Sequence, residues 1–223
     1  MKKKLIFIFL VCILISGFLL RLYRINEPLG DWHSWRQADT SAVSRNFVKD
    51  GVDILHPRFD DLSNVPSKFY ENPHGYRFVE FPIYNILQAE LFQTFPFFTL
   101  EQWGRLVSIF SSLLIILFLY LLVSKYANKK IGLLAAFFYA FIPYNIYYGR
   151  TILPDTTMTM AILGGIYFFD KWIERTSKLH PVSLSHFILA LVFTSSAFLL
   201  KPYALFFTLP MVYIVWNKFG KKF

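Results

Sequence analysis

Six long apolar runs, separated by short polar stretches, constrain this chain more than any other feature of its sequence. They cover residues 5–20, 106–123, 131–148, 152–169, 184–200 and 202–216. A helix needs roughly 17 to 25 residues to cross the hydrocarbon of a bilayer, and each run is close to that length. Hydrophobic residues make up 55% of the chain and charged residues only 17%, a balance typical of membrane proteins. The sequence therefore predicts an all-α polytopic membrane protein with about six transmembrane helices.

The first apolar run also resembles a secretory signal peptide, because Lys2, Lys3 and Lys4 precede it. However, no pair of small residues marks a cleavage site after it. Arg21 and Arg24 follow directly and are typical of an anchor at the membrane interface. We expect an uncleaved transmembrane helix.

The positive charges decide the orientation and the class of partner. The formal net charge is +9, which by itself is compatible with nucleic-acid binding. Twelve of the 23 Lys and Arg, however, form four short clusters between or beyond the apolar runs: Lys2, Lys3, Lys4; Lys125, Lys129, Lys130; Lys171, Arg175, Lys178; and Lys218, Lys221, Lys222. Such clusters mark cytoplasmic loops. We expect a cytoplasmic N-terminus in an integral protein of a bacterial plasma membrane, with no nucleic-acid partner.

A seventh candidate span, residues 81–98, is expected to lie along the membrane surface. If it crossed, the cluster around Lys129 would lie on the opposite side from the N-terminal lysines, against the charge bias. It also contains Gln88, Glu90 and Gln93, which suit an interfacial helix. Residues 24–104 then form one long external loop with juxtamembrane helices, and residues 1–223 form a single module.

The acidic residues fall on the predicted external side. Eleven of the 14 Asp and Glu lie within residues 24–104, and Asp155 lies in the next external turn. The single cysteine, Cys12, lies in the first apolar run, which excludes a disulfide framework and a cysteine-based metal site. Polar chemistry is therefore expected at the external face.

Residues 31–39 form the densest polar and aromatic cluster of that face. Ser34 and Gln37 have the spacing of a capping box, in which Ser34 would cap a helix and Gln37 would return a bond to the cap. This helix is expected to run to about Lys49 and to end at Gly51 in a left-handed conformation. Asp39 lies inside the predicted helix and Asp31 in the loop before it.

Three cations at predicted helix ends complete the candidate site: Arg105, Arg150 and Lys201. Ionisable residues near membrane depth are costly and are usually functional. A phosphate is the natural partner for the cations, and a hydroxyl nucleophile or a metal is the natural partner for the carboxylates. The alternative for the cations is an anchoring role, with the charge reaching toward the interface.

The order of these parts resembles the integral-membrane GT-C glycosyltransferases, in particular the branch with protein O-mannosyltransferases and the lipid A aminoarabinose transferase. The matching parts are a first helix, a long loop that opens on an acidic stretch, and short motifs spread over about residues 21–210. In chain order these are Arg45-Asn46-Phe47, Gly51, His56-Pro57, Glu80-Phe81-Pro82-Ile83-Tyr84, Trp103-Gly104-Arg105-Leu106, Gly149-Arg150, Asp155 and Leu200-Lys201-Pro202.

The resemblance implies a polyprenyl-phosphate-linked sugar as donor and an acceptor hydroxyl on a glycan, lipid or protein. It also implies an acidic residue in the first external loop as the catalytic base and a second acidic residue in the next external loop, which Asp155 matches. Where many relatives carry Asp-Glu, this chain has Arg36-Gln37. The base is then Asp39, which a capped helix would hold in a fixed direction, or Asp31, or is absent.

The remaining predictions concern substrate-binding residues and a possible metal. Arg105, Arg150, Lys201, Glu80 and Arg36 are expected to bind substrate. No cofactor is assigned, and a divalent metal is left open because some GT-C enzymes use one. His33 is near two aspartates, but its spacing does not specify a metal site.

Two other classes of protein are compatible with the sequence. Members of the family usually continue with more membrane helices, so a compact or truncated enzyme and a non-catalytic lipid-phosphate-binding or scaffold subunit both stay open. A transporter fits less well, because the middle of each span holds almost no charge and no inverted repeat is visible.

Overall fold

The structure is a computed structural model that describes residues 3–62, 71–177 and 184–220. Its helices are α1 (Lys3–Arg21), α2 (Ser34–Asp50), α3 (Ile83–Thr94), α4 (Leu100–Tyr126), α5 (Lys129–Phe141), α6 (Pro143–Tyr148), α7 (Pro154–Ser177), α8 (Leu184–Leu200) and α9 (Leu209–Phe219), with a 3₁₀ helix at Pro202–Thr208 between α8 and α9. Within the described residues there is no β-strand, and only an isolated bridge joins Arg58 and Tyr76. The predicted all-helical class is confirmed for this part of the chain.

Two of the six predicted spans are long and apolar enough to cross a membrane, namely α1 and α4. The run at 184–200 forms a shorter apolar helix, α8. The run at 131–148 is interrupted at Ile142 between α5 and α6, and the run at 202–216 is part 3₁₀ helix and part α9. The six-span arrangement thus stays a prediction.

The central helix of the fold is α4, which packs against α1 and α5 on one side and α7 on the other. One apolar core lies between α3, α4, α7 and α8, with Tyr84, Ile152 and Leu200 fully buried. A second lies between α1, α4 and α5 around Ile116 and Ala140. Both cores bury the apolar side chains that the sequence places on the inward faces of these helices.

The first loop folds onto one end of this bundle through α2 and α3. The Asn85 amide donates to the carbonyl oxygen of Thr40 (2.6 Å), and the Ser44 hydroxyl donates to Gln88 Oε1 (2.8 Å). The backbone N–H of Phe81 donates to the carbonyl of Leu199 (3.1 Å), which ties the loop to the end of α8. We call this end of the bundle the loop face; it carries residues 22–62, 71–99, 149–155 and 201–203.

Helix α3 has only 12 residues and so spans about 18 Å, well short of the roughly 30 Å hydrocarbon core. It packs against α2 and α4. Helix α3 by itself is therefore shorter than a single crossing of the bilayer needs. Its position along the membrane surface stays a prediction.

The predicted capping box at Ser34 and Gln37 is wrong. The N-cap of α2 is His33, whose backbone is left-handed (φ 65°), and no side chain caps this helix. Gln37 is fully buried and makes its bonds elsewhere. The predicted end of the helix is confirmed, since α2 ends at Asp50, and Gly51 has a positive φ of 89° with a ψ of 163°, which is extended and not left-handed helical. The capping box instead occurs at the start of α4, between Thr99 and Gln102.

Arg21 is not an interfacial anchor, as the sequence suggested, but is fully buried. Its guanidinium donates to the carbonyls of Gly17, Tyr139, Ala140 and Asn145. The carbonyl of Tyr139 needs such a donor because the residue four positions later, Pro143, has no N–H. Arg21 thus fixes the break between α5 and α6, and with it the start of the turn at 149–153.

Candidate active site

Four carboxylate–cation pairs of the loop face include candidate residues that the sequence singled out. They are Asp31 with Arg150, Glu80 with Arg36, Asp39 with Arg77, and Asp155 with Lys201. The members of every pair lie more than 35 positions apart in the chain. The fold therefore brings together most of the candidate residues that the sequence singled out, although it pairs them with one another.

The Asp31 pair joins the first loop to the turn after α6. Asp31 Oδ2 lies 3.6 Å from Arg150 Nη2, and Asp31 Oδ1 accepts a 2.6 Å hydrogen bond from the Gln37 amide. The Arg150 guanidinium also lies over the Tyr147 ring, 5.3 Å from its centroid. Asp31 is therefore held between the first loop and this turn.

The Arg36–Glu80 pair lies near the centre of the loop face. Arg36 Nη2 is 2.7 Å from both carboxylate oxygens of Glu80, and both side chains are largely buried. Such a close pair leaves little charge available to a ligand. Glu80 also acts electrostatically on Asp39 and on Tyr203, so it lies between the two remaining pairs.

Asp39 forms an ion pair with Arg77, which lies in the later part of the first loop. Its Oδ2 is 3.0 Å from Arg77 Nη1, and the Arg77 side chain is 9% exposed. Burial is the largest cause that raises the pKa of the Asp39 carboxyl above its usual value, and Arg36 acts in the opposite direction. A raised pKa suits a general base, but none of the contacts of Asp39 reaches the turn at 149–155.

The Asp155–Lys201 pair is the most accessible of the four. Lys201 Nζ is 3.1 Å from Asp155 Oδ1, with 20% of the lysine side chain and 44% of the aspartate side chain exposed. The Tyr203 hydroxyl donates to the same oxygen at 3.5 Å. Asp155 lies in the first turn of α7, where the helix dipole stabilises a carboxylate even without Lys201. Lys201 is therefore the cation that a ligand can most easily take from its partner.

Arg105 has a different environment from the one expected. It is 1% exposed, and its guanidinium donates to the carbonyls of Arg24, Ile25, Glu27 and Pro28. These contacts hold the start of the first loop onto α4. Of the three cations predicted to bind phosphate, Arg105 is the one whose donors are already used by the backbone.

Aromatic rings line the loop face beside Asp31. Trp32 contacts Tyr147 (5.9 Å between centroids), Tyr147 contacts Tyr148 (5.2 Å), and His33 contacts Tyr148 (5.9 Å). The Tyr147 hydroxyl also donates to the carbonyl of Trp32. Trp32 is strongly exposed, so this wall has a free aromatic surface next to a carboxylate.

Comparison with protein families matches residues 83–223, more than half of the chain, to dolichyl-phosphate-mannose-protein mannosyltransferase. The chain belongs to this family. Its members are membrane glycosyltransferases of the GT-C type, so the resemblance drawn from the motifs is confirmed at this level. Searches of curated proteins and of solved structures gave no match.

The family match divides the candidate residues into two groups. Arg105, Arg150, Asp155 and Lys201 lie inside the matched range, whereas Asp31, Arg36, Asp39 and Glu80 precede it. Membership of the mannosyltransferase family therefore bears directly on the α4 to α8 half of the site. The roles of the first-loop carboxylates are inferred from their contacts in the structure.

In the described part of the chain, no three His, Cys, Asp or Glu side chains come together as a group that could hold a metal ion. His33, the one histidine considered as a ligand, packs its ring against Trp32 and Tyr148. The described residues thus offer no donor set that fits a divalent cation, and no step of the chemistry is assigned to one.

Sequence inspection missed Gln37, Arg77 and Tyr203 as members of the site. Gln37 was interpreted as a capping residue, and Arg77 and Tyr203 received no interpretation. Arg77 lies three residues before Glu80, and Tyr203 two residues after Lys201. Proximity to a predicted site residue is the only signal the sequence carries for these two.

Proposed function

We propose that this protein transfers a sugar from a polyprenyl-phosphate-linked donor to an acceptor hydroxyl at the loop face, and that this face lies outside the cytoplasm. The observation that carries the proposal is the Asp155–Lys201 pair. It is the most accessible of the four candidate pairs, and the backbone of Lys201 is hydrogen-bonded to residues that line an apolar cavity.

The cavity lies between α7, α8, the 3₁₀ helix and α9. Its lining is apolar apart from two threonines: Ile162, Thr194, Ala197, Phe198, Ala204, Phe207, Thr208 and Met211. Lys201 is joined to this lining through its backbone, since its N–H donates to the carbonyl of Ala197 and its own carbonyl accepts from Ala204. The cavity has an empty volume of only about 190 Å³, so it holds a short apolar segment of a lipid and not a whole polyprenyl chain, while the lipid phosphate binds Lys201.

The reaction requires a base and a stabilised leaving group. A carboxylate of the first loop removes the proton of the acceptor hydroxyl, and the hydroxyl oxygen then bonds to the anomeric carbon. The bond from that carbon to the phosphate oxygen breaks, and the lipid phosphate leaves with the electron pair. Lys201 stabilises the charge that develops on the phosphate, and Asp155 is the residue that positions Lys201 before the donor binds.

The other candidates support this centre in different ways. Arg150 acts on the charge of Asp31, the close Arg36–Glu80 pair holds the middle of the loop face together, and Arg105 anchors the start of the first loop. The acceptor approaches from the side of Trp32 and Tyr147, where an exposed aromatic surface adjoins Asp31.

The test is sugar transfer by the purified full chain in proteoliposomes. The donor is a polyprenyl phosphate carrying tritiated mannose, or glucose in a second series, and the acceptor is an extract of native membranes. We expect transfer by the wild type and a loss of about 100-fold or more when the base is replaced by its amide. The variants are Asp31→Asn and Asp39→Asn for the two candidate bases and Asp155→Asn for the residue that positions Lys201.

Full activity in all three variants would show that the roles are wrongly assigned. Binding of the polyprenyl phosphate by the wild type without any transfer would instead support a non-catalytic lipid-phosphate-binding subunit. Binding is measured separately, with the unglycosylated polyprenyl phosphate, so that the two outcomes are distinguished.

A further inference from the structure

Gln37 is the most completely buried polar side chain in contact with a candidate catalytic residue. It is 0% exposed. Its Nε2 donates to Asp31 Oδ1 (2.6 Å) and to the carbonyl of Trp32 (3.2 Å), and its Oε1 accepts from the backbone N–H of Ile152 (3.0 Å). One amide thus connects α2, the loop before it and the turn that follows α6.

The orientation of this amide is determined by its partners. The backbone N–H of Ile152 can only donate, and the carbonyl of Trp32 can only accept. The oxygen of Gln37 must therefore face Ile152 and its NH₂ group must face Trp32 and Asp31. In this orientation the amide always donates to the Asp31 carboxylate.

The Asp31 carboxylate is consequently held by the Gln37 amide and by Arg150. The Tyr147 hydroxyl and Arg105 also act on it. Oδ1 is directed by the Gln37 amide and Oδ2 faces Arg150 at 3.6 Å, while 15% of the side chain is exposed. The carboxylate is thus fixed in direction and accessible, two properties that a general base needs before an acceptor arrives.

Asp39 lacks this connection to the rest of the loop face. Its ion-pair partner, Arg77, belongs to the same first loop, whereas the Asp31 network includes Arg150 and Ile152 from the turn that leads into α7. Asp155 follows that turn directly and pairs with Lys201, the proposed phosphate site. A base must lie where the acceptor and the donor meet, and only Asp31 is bonded to both halves of the site.

We propose that Gln37 is the positioning residue of the active site and that it holds Asp31, rather than Asp39, as the general base. This inference rests on the proposed function and assigns its unresolved step. The proton of the acceptor hydroxyl moves to Asp31, and one negative charge moves from Asp31 to the departing phosphate. Arg150 loses its ionised partner at that moment and becomes available to the second charge of the phosphate.

The test compares Gln37→Glu with Gln88→Glu. Gln88 is a matched control, because it is also 0% exposed, its amide donates to the carbonyl of Leu100 and its oxygen accepts from Ser44, and it does not contact Asp31. Gln37→Glu keeps an acceptor for Ile152 but replaces the donor to Asp31 by a like charge. Both variants are expected to lower thermal stability.

Only Gln37→Glu is expected to change the pH dependence of transfer. Its acid limb should move to higher pH by about one unit, and kcat at neutral pH should fall about 10-fold while the KM for the donor changes much less. The acid limb of Gln88→Glu should overlay that of the wild type. Asp31→Asn should abolish the limb, and Asp31→Glu should restore part of the rate.

A second measurement does not depend on turnover. Carbodiimide with a soluble amine modifies protonated carboxyl groups, and mass spectrometry of peptides reports the modification of Asp31 as a function of pH. The midpoint should lie at higher pH in Gln37→Glu than in the wild type or in Gln88→Glu.

The proposal is overturned if the pH–rate profile and the Asp31 labelling of Gln37→Glu both match those of Gln88→Glu, or if Asp39→Asn removes the acid limb while Asp31→Asn retains it. If the wild type transfers no sugar, but the midpoint of Asp31 labelling still lies at higher pH in Gln37→Glu than in the wild type, the proposed function is refuted. The positioning of Asp31 by Gln37 is then still supported.

Discussion

At the scale of single residues, Arg105 and Lys201 have the same charge but different surroundings. Arg105 and Lys201 both follow or begin apolar helices and both suit a lipid phosphate by charge. The structure surrounds Arg105 with four backbone carbonyls and leaves Lys201 with one partially exposed carboxylate. The two cations should therefore respond differently to replacement.

Arg105→Met is expected to act through stability. Loss of the guanidinium leaves several carbonyls of residues 24–28 without donors, which should cost about 3 kcal/mol or more and lower the melting temperature in detergent by roughly 5 to 10 °C. Lys201→Met breaks a partially exposed pair worth about 0 to 1 kcal/mol, so its melting temperature should hardly change. The KM of Lys201→Met for the donor should instead rise about 10-fold.

Lys201→Arg serves as the control that keeps the charge, and it should retain a KM close to that of the wild type. Equal thermal shifts in Arg105→Met and Lys201→Met would contradict the division of the cations into a structural and a ligand-binding group.

At the scale of elements, the site depends on how closely α3 approaches α4. A methyl group at Gly104 would lie 2.6 Å from Gln88 Nε2 and 3.1 Å from Ile152 Cγ2. The Tyr84 hydroxyl also donates to the carbonyl of Gly104 at 2.6 Å. The absence of a side chain at this position therefore allows α3 to pack directly on α4, and it allows Ile152, a partner of Gln37, to lie in the same layer.

Gly104→Ala is expected to force these groups apart and to reduce the free energy of unfolding by about 1 to 3 kcal/mol. The matched control is Gly30→Ala, because no atom lies within 4 Å of a methyl group built there. Thermal unfolding in detergent provides the comparison. A Gly104→Ala protein as stable as Gly30→Ala would show that the α3–α4 contact is not close in solution.

At the scale of the whole molecule, ion pairs between helices or loops occur at both ends of the bundle. The loop face holds carboxylates paired with cations across the site. At the other end, Lys125 of α4 lies 2.5 Å from Asp170 and 3.0 Å from Glu174 of α7. Lys125, counted from the sequence as part of a cytoplasmic positive cluster, thus also joins α4 to α7. Lys129 and Lys130, at the start of α5, are exposed.

The orientation is tested by single cysteines in a Cys12→Ser background. Val52→Cys lies in the first loop and Lys129→Cys lies just after α4, and both positions are exposed. If α4 crosses and α3 does not, a membrane-impermeant maleimide added to intact cells should label residue 52 and not residue 129. Labelling of both positions from outside would require an even number of crossings between them and would refute the juxtamembrane position of α3.

The sequence by itself determined the helical class, the membrane character and the family. These properties depend on apolar runs, charge clusters and short motifs, which are local or additive along the chain. It also located the candidate carboxylates and cations, because polar residues beside apolar runs are conspicuous. It favoured Asp39 over Asp31 on the expectation of a capped helix, and it gave Gln37 a capping role that the structure contradicts.

Only the tertiary structure decided which charge faces which partner. The contacts of Asp31 with Arg150 and of Gln37 with Ile152 join residues more than a hundred positions apart, and no local pattern encodes such a distance. Arg21 and Arg105 became structural residues for the same reason, since the carbonyls they bind are left without partners only once distant helices break or meet. The sequence thus supplies the polar groups of the candidate site, and the packing of the first loop on α4 and α7 determines which of them are in contact.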